Sequence, residues 1–457
     1  MDHDDLNLWA KRAADWVRDY HAGLRDRPVR AQVAPGDLLA QLPGVAPEAA
    51  EPVEEIFADF ERLIPGATTH WQHPRFFAYF PANASPASML AEQLANGIAA
   101  QGMLWQTSPA ATELEQAMVG WLRDALGLPD DVTGTIHDTA TTATLCAVLT
   151  MRERALDYAG LTEGLSGGPR LRVYASAQTH SSVDKAVRLA GIGQDNLVKV
   201  PVRDDLSMDP DALAAAIAAD REAGHLPCGV VFCAGGTGVG AFDDIAACLP
   251  ACAGLPTHVD AAWAGSAMVC EEFRPLWAGA ERCDSIVFNP HKWMGAQFDC
   301  CVQFLRDPVA QVNTLGLRPD YLRTLEGEDV TNFNEWTVPL GRRFRALKLW
   351  FVLRAYGLDG IRGRIRDHVA WAEALAGRLR AMEGVEITSE PRLALFSFAL
   401  ESDAATEALL TAINAEGRVY LTQTRHRGRF VIRVSVGSWD CTEADVMEVA
   451  QAVERLR

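Results

Sequence analysis

Four segments of the chain carry side chains whose chemistry is complementary. Ser285-Ile-Val-Phe-Asn-Pro-His-Lys292-Trp-Met-Gly295 places a lysine just after an apolar strand, where polar residues meet ligands in open α/β sheets. Lys292 is the candidate electrophile carrier, although a solvated loop end uses the same residue type. Leu255-Pro-Thr-His-Val-Asp260-Ala-Ala-Trp-Ala-Gly265 ends another strand with an acid, followed by small residues that let a flat group approach the backbone. A carboxylate paired with a pyridine nitrogen keeps it protonated and turns the ring into an electron sink for a carbanion at Cα. An aspartate that only caps the next turn fits this segment equally well. In Ala175-Ser-Ala-Gln-Thr-His180-Ser-Ser-Val, a strand gives way to a helix capped by Ser181 or Ser182, and His180 sits at the same sheet edge. Thr133-Gly-Thr-Ile-His-Asp138-Thr-Ala-Thr-Thr142 precedes a helical run, so free N–H groups and hydroxyls gather at a helix start, which makes either a phosphate cradle or an ordinary Thr-rich cap.

These segments need an α/β scaffold. From about Thr133 to Leu305, short apolar runs (Arg172 to Ala175, Gly229 to Ala234, Thr257 to Val259, Ser285 to Phe288, Cys301 to Leu305) alternate with helical stretches. The pattern predicts a mostly parallel sheet flanked by helices. Upstream, Leu6, Trp9, Ala13, Trp16, Val17 and Tyr20 recur at helical spacing, as do Val53, Ile56, Phe57, Phe60, Leu63 and Ile64. Two amphipathic helices form little core alone, so this segment should pack on the main domain or a second subunit. Beyond the helical run Arg345 to Tyr356, the order is helix, strand (Leu393 to Leu400), helix, strand (Val419 to Thr422), strand (Phe430 to Val436) and helix, a small α+β domain. The expected divisions are 1–70, 71–356 and 357–457.

Composition narrows the partners. The net charge of −18, with no basic block, disfavours nucleic acid and anionic membrane surfaces. No apolar run approaches the roughly 18 residues of a membrane span. Ten scattered cysteines, with no C-x-x-C pair, suit neither a zinc site nor a disulfide framework, so no metal is expected and the compartment is read as reducing cytoplasm. Asn83-Ala-Ser85 spells a glycosylation sequon, read as a chance match because no secretion signal is recognisable. Gly235-Gly-Thr-Gly238-Val-Gly240 lacks the G-x-G-x-x-G spacing, which argues against a nicotinamide cofactor.

Thr139-Ala140-Thr141, His180, His-Val-Asp260-Ala-Ala-Trp-Ala-Gly and Asn-Pro-His-Lys292-Trp-Met, in that order, resemble the group II pyridoxal-phosphate-dependent decarboxylase family, and within it the aromatic-L-amino-acid decarboxylases. Family-like stretches also include Trp71 to Phe80, Trp105 to Glu115, Phe298-Asp-Cys and Pro339 to Trp350, so the resemblance spans the chain. It implies a fold type I architecture with a seven-stranded sheet and a homodimer. It implies pyridoxal 5'-phosphate held as a Schiff base by Lys292, with Asp260 on the pyridinium and Ala140 and Thr141 on the phosphate. Asn289, Ala262, Cys233 and His180 would add cofactor contacts. Tyr321 would protonate Cα from a lid that includes Thr324 to Thr331. Trp71, Tyr79, Phe80, Pro81, Ala82, Leu340 and Gly341, with Gln101 and Met103 reaching from a partner subunit, would line an apolar slot for an aromatic side chain, alongside His180.

Three positions depart from the family pattern: Asp138 for glycine, Cys233 for threonine, and Met103 for phenylalanine. The implied reaction is decarboxylation of an L-amino acid, probed against two rivals. One is a different reaction on the same cofactor, oxidative deamination to an aldehyde or amine transfer; the other is a catalytically silent binding protein.

Overall fold

β-Branched and apolar runs bounded by turns build one large sheet. The computed structural model describes residues 1–457 except 253, 318, 320, 321 and 323–328. The sheet contains β1 (Thr133–His137), β2 (Leu171–Ser176), β3 (Leu197–Val200), β4 (Leu226–Cys233), β5 (Thr257–Asp260), β6 (Ser285–Phe288) and β7 (Cys301–Leu305), in the spatial order β1-β7-β6-β5-β4-β2-β3. The run β6-β5-β4-β2-β3 is parallel, and β7 is antiparallel to both its neighbours. The central strands are covered on both faces, which is why Val230–Phe232 and Ser285–Phe288 read as continuous apolar runs rather than as alternation.

The helix Ala140–Ala155 crosses one face of the sheet and buries Ala143, Ala147, Val148 and Met151 against it. Val148 and Met151 join Val173, Ala175, Val183, Val187 and Val231 in one core cluster. Burial of the larger of these side chains, at roughly 1.5–3 kcal/mol for each Val and Met, fixes the helix on the sheet and therefore fixes where its first turn lies.

By compactness the chain forms two units: Met1–Pro81 with Trp371–Glu390 and Phe396–Arg457, and Ala82–Ala370 with Pro391–Leu395. The second unit carries the seven-stranded sheet. In the first, the helices His3–Ala22 and Val53–Leu63 meet through rings, Trp9 on Phe57 at 5.3 Å and Trp16 on Phe60 at 4.8 Å. A second sheet orders β8 (Glu386–Arg392), β9 (Leu395–Ala399), β10 (Thr422–His426) and β11 (Arg429–Ser435) as β10-β11-β9-β8.

The expected strand at Val419 to Thr422 is corrected. Val419 and Leu421 are buried and Tyr420 makes a single bridge with Phe76, but the strand proper is the polar stretch Thr422–His426, paired antiparallel with β11. Burial produced the apolar signal there without ladder pairing. The turn Arg427-Gly428, with φ of 50° and 83°, closes this hairpin.

Candidate active site

The C-terminal ends of β1, β6, β5, β4 and β2 share one sheet edge, as the pairing directions require. A cleft of about 540 Å³ lies there, lined by Thr139, Ala140, Thr141, His180, Ser182, Cys233, Gly235, Gly236, Thr237, Asp260, Ala262, Trp263, Asn289 and Lys292. Register explains the convergence: Cys233 ends β4 opposite Asp260 at the end of β5, and Asp260 lies opposite Val287 of β6, two residues before Asn289.

Lys292 sits in a short helical turn, Pro290–Trp293, that starts directly from β6 with Pro290 at its first position. The Lys292 N–H donates to the Asn289 carbonyl at 2.9 Å. The Asn289 N–H donates to the Ala262 carbonyl at 2.8 Å, which ties the lysine turn to the segment after Asp260. Asp260 is buried, and one of its carboxylate oxygens accepts the Ala262 N–H at 3.1 Å.

His180 is the N-cap of the helix Ser181–Leu189, in place of the expected serine cap: its Nδ1 accepts the Ser182 N–H at 3.2 Å and lies 2.9 Å from the Ser182 hydroxyl. An Nδ1 that accepts these bonds leaves the proton of the neutral ring on Nε2. Burial pushes this imidazole below its ordinary value, opposed by Asp260 and reinforced by Lys292. A neutral ring with an Nε2–H donor follows at neutral pH.

Cys233 is buried, and burial pushes its thiol well above the usual range, with Asp243 and Asp260 adding to the effect. It is therefore a thiol wall of the cleft rather than a nucleophile. The buried Asp243 carboxyl, raised to about 6 by burial, accepts the Cys233 N–H at 2.7 Å and the Met208 N–H at 2.8 Å, and so anchors the end of β4.

The cleft fits pyridoxal phosphate. Thr139 makes no side-chain cap, so the first-turn N–H groups of a 16-residue helix open onto the cleft beside Ala140 and Thr141. Asn289 Oδ1 is buried with no protein partner among the described residues. Gly235, at φ 94°, has room for no side chain: a Cβ there would lie 2.5 Å from that of Ala264. Asp138, whose charge would oppose a phosphate, is not among the lining residues.

Of the other expected site residues, Gln101, Met103, Leu340 and Gly341 do not line this cleft. Gln101 and Gly341 meet elsewhere: Gln101 Oε1 accepts the Arg342 N–H at 2.6 Å, and Gly341 abuts the Gln101 amide. Trp71, Tyr79, Phe80 and Pro81 belong to the first unit, where Trp71 and Tyr79 stack at 5.8 Å, while Ala82 begins the second. Tyr321 lies outside the described residues, as do residues 324–328 of the expected lid. From sequence, Ser182 and Trp263 had no site role, whereas Gly235, Gly236 and Thr237 lie in the glycine-rich turn that reads either as a bed for a flat cofactor or as a plain turn.

The pyridoxal-dependent decarboxylase conserved domain matches residues 35–401. A tyrosine decarboxylase of Oryza sativa subsp. japonica is 39% identical over 99% of this chain and 91% of its own length. Aromatic-L-amino-acid decarboxylase of Rattus norvegicus is 37% identical over 98% of this chain and 96% of its own. The crystal structure of Oryza sativa TDC with PLP and tryptamine superposes with a TM-score of 0.97 at 33% identity, covering 100% of this chain and 98% of that one. A cleft that fits the cofactor, on a chain matched by this domain over most of its length, leads to one statement: the protein belongs to the pyridoxal-dependent decarboxylase family and is a carboxy-lyase that uses pyridoxal phosphate.

Proposed function

We propose that this chain converts an aromatic L-amino acid and a proton to the corresponding amine and carbon dioxide. The observation that carries the reading is the convergence of Lys292 and Asp260, from adjacent strand ends, on one cleft beside an uncapped helix start. Lys292 would hold the cofactor covalently through Nζ, Asp260 would face the pyridine nitrogen, and Ala140, Thr141 and Asn289 would take the phosphate end. When bound, the cofactor supplies a protonated ring that accepts the electron pair of the broken Cα–carboxylate bond. His180 offers its Nε2–H to the substrate. Tyr321, by its place in the sequence, delivers a proton to Cα once carbon dioxide has left. The relatives named above, which act on aromatic amino acids by their names, support an aromatic substrate.

The test is a panel of aromatic and non-aromatic L-amino acids on purified holoenzyme, following carbon dioxide, amine and hydrogen peroxide together. One amine per carbon dioxide without peroxide is expected from an aromatic substrate. Aldehyde with peroxide would replace the reaction, and turnover restricted to non-aromatic substrates would replace the substrate class.

A homodimer in a reducing cytoplasm completes the proposal. All ten cysteines are free and buried. The helix His3–Ala22 buries none of its residues although it carries Leu6 and Leu8. Leu90, Leu94 and Ile98 form an exposed apolar stripe at four-residue spacing along the helix Pro86–Ile98. Gln101 and Met103 lie away from their own chain's cleft, as residues that serve a second one would. Light scattering should give twice the chain mass; a monomer with full activity would contradict this.

A further inference from the structure

The sequon Asn83-Ala-Ser85 finds its explanation in the fold. Asn83 is 1% exposed, so its amide is closed to a glycosylating enzyme. That amide instead donates from Nδ2 to the backbone carbonyl of Lys292 at 2.5 Å, and the Asn83 N–H donates to the carbonyl of His291 at 2.7 Å. The clamp continues in register: the Ser85 N–H donates to the Gly295 carbonyl at 2.9 Å, and the Gln297 N–H donates to the Ser88 hydroxyl at 2.6 Å. An otherwise irregular segment is thus zipped along the turn that carries the lysine.

The carbonyls of so short a helical turn have little intrahelical partnership, and those of His291 and Lys292 are satisfied by this one residue. We infer that Asn83 is the positioning residue for Lys292: its side-chain amide fixes the main chain from which the lysine reaches the cofactor. Resting on the reading of Lys292 as the cofactor lysine, this adds a residue that touches neither cofactor nor substrate. A serine or threonine is too short to span to the carbonyl from the same Cα. Aspartate has the right shape but presents an acceptor to an acceptor.

The readouts are the visible band of the lysine-bound cofactor, its pH titration, and the rate at which cofactor is lost to an apo-acceptor enzyme. N83D, isosteric with the wild type, is the deciding variant. It should keep the fold by circular dichroism yet release cofactor roughly tenfold faster, the loss of one well-aligned hydrogen bond, with a displaced titration midpoint. Release should slow again as pH falls and the new carboxyl gains a proton that it can donate to the Lys292 carbonyl. N83A should show the fast release without that pH rescue. S85A removes the sequon and the cap of the helix Pro86–Ile98 but leaves the clamp, so it should lower Tm while the band and titration stay unchanged. N83D with wild-type release and titration would overturn the inference. K292A separates the two levels: if it retains the band, the reading of Lys292 fails; if it loses the band while N83D behaves as wild type, only the role of Asn83 fails.

Discussion

The two ends of the same strands behave differently. At the N-terminal edge of β5 and β6, the side chains of Thr257, Asp284, His258 and Ser285 engage one another. Asp284 accepts the Thr257 N–H at 2.8 Å, the Thr257 hydroxyl at 3.1 Å and Arg154 Nη1 at 2.8 Å, and the Ser285 hydroxyl lies 2.7 Å from His258 Nδ1. At the C-terminal edge, Asn289 Oδ1 has no protein partner among the described residues and a helix start is left uncapped. Both ends border a hollow, and the one at the second end is the larger. The contrast teaches that polarity or a cavity alone does not mark a site. Unsatisfied hydrogen-bonding capacity marks a site only where it faces a cavity that can admit a ligand; Trp277 Nε1 and Arg433 Nε, among the described residues, are buried without partners and line no such cleft.

Substitutions at the two ends sharpen the contrast. K292A should abolish decarboxylation, by on the order of 10⁴-fold or more in kcat, since no other group replaces a covalent attachment point. D260N should lower kcat by roughly 10²–10³-fold while the protein still folds, because it removes the charge facing the ring nitrogen. Steady-state kinetics on both variants check these expectations. At the opposite end, D284A should cost about 1–2 kcal/mol of stability by orphaning the Thr257 N–H, with no change in kcat. Its Arg154 partner is one-third exposed and contributes little through charge. A fall in kcat for D284A matching that of D260N would erase the distinction between the two ends.

A smaller effect concerns pH. Burial holds His137 and His258 at about 4, and His291 and His368 at about 3, against an ordinary 6.5. Well above pH 6.5 neither the folded nor the unfolded chain protonates them. As pH falls below 6.5 the unfolded chain takes up protons that the folded chain refuses, so stability drops progressively towards pH 4. Asp243, raised to about 6, works in the opposite sense: the folded state binds its proton first and gains stability as pH falls towards the ordinary carboxyl value. Together with His73, also held at about 4 by burial, these histidines outweigh Asp243, and Tm should fall between pH 7 and pH 5. A Tm that is flat or rising over that range would contradict the neutral, buried assignment of these histidines.

Legibility from sequence followed pairing and burial. The inner strands β4, β5 and β6 are buried on both faces, and their apolar runs stand out. In the smaller sheet the inner strands β9 and β11 were readable, while the edges were not. Glu386-Ile-Thr-Ser-Glu-Pro-Arg392 and Thr422-Gln-Thr-Arg-His426 each face solvent along one side and are correspondingly polar. The site divided in the same way. Lys292, Asp260 and His180 are polar residues at the ends of apolar runs, a contrast visible in one dimension. Asn83 is invisible by that criterion, because its partner lies 209 positions away and its sequence context advertises a different chemistry.

Lys292 as the carrier of pyridoxal phosphate can be tested by chemical labelling. The chain has five lysines, Lys11, Lys185, Lys199, Lys292 and Lys348. Reduction of the holoenzyme with borohydride would fix the cofactor to whichever lysine holds it, and peptide mass spectrometry would identify that residue. One pyridoxyl group per chain is expected, on Lys292. A label on any other lysine, or none on a cofactor-saturated and active protein, would contradict it.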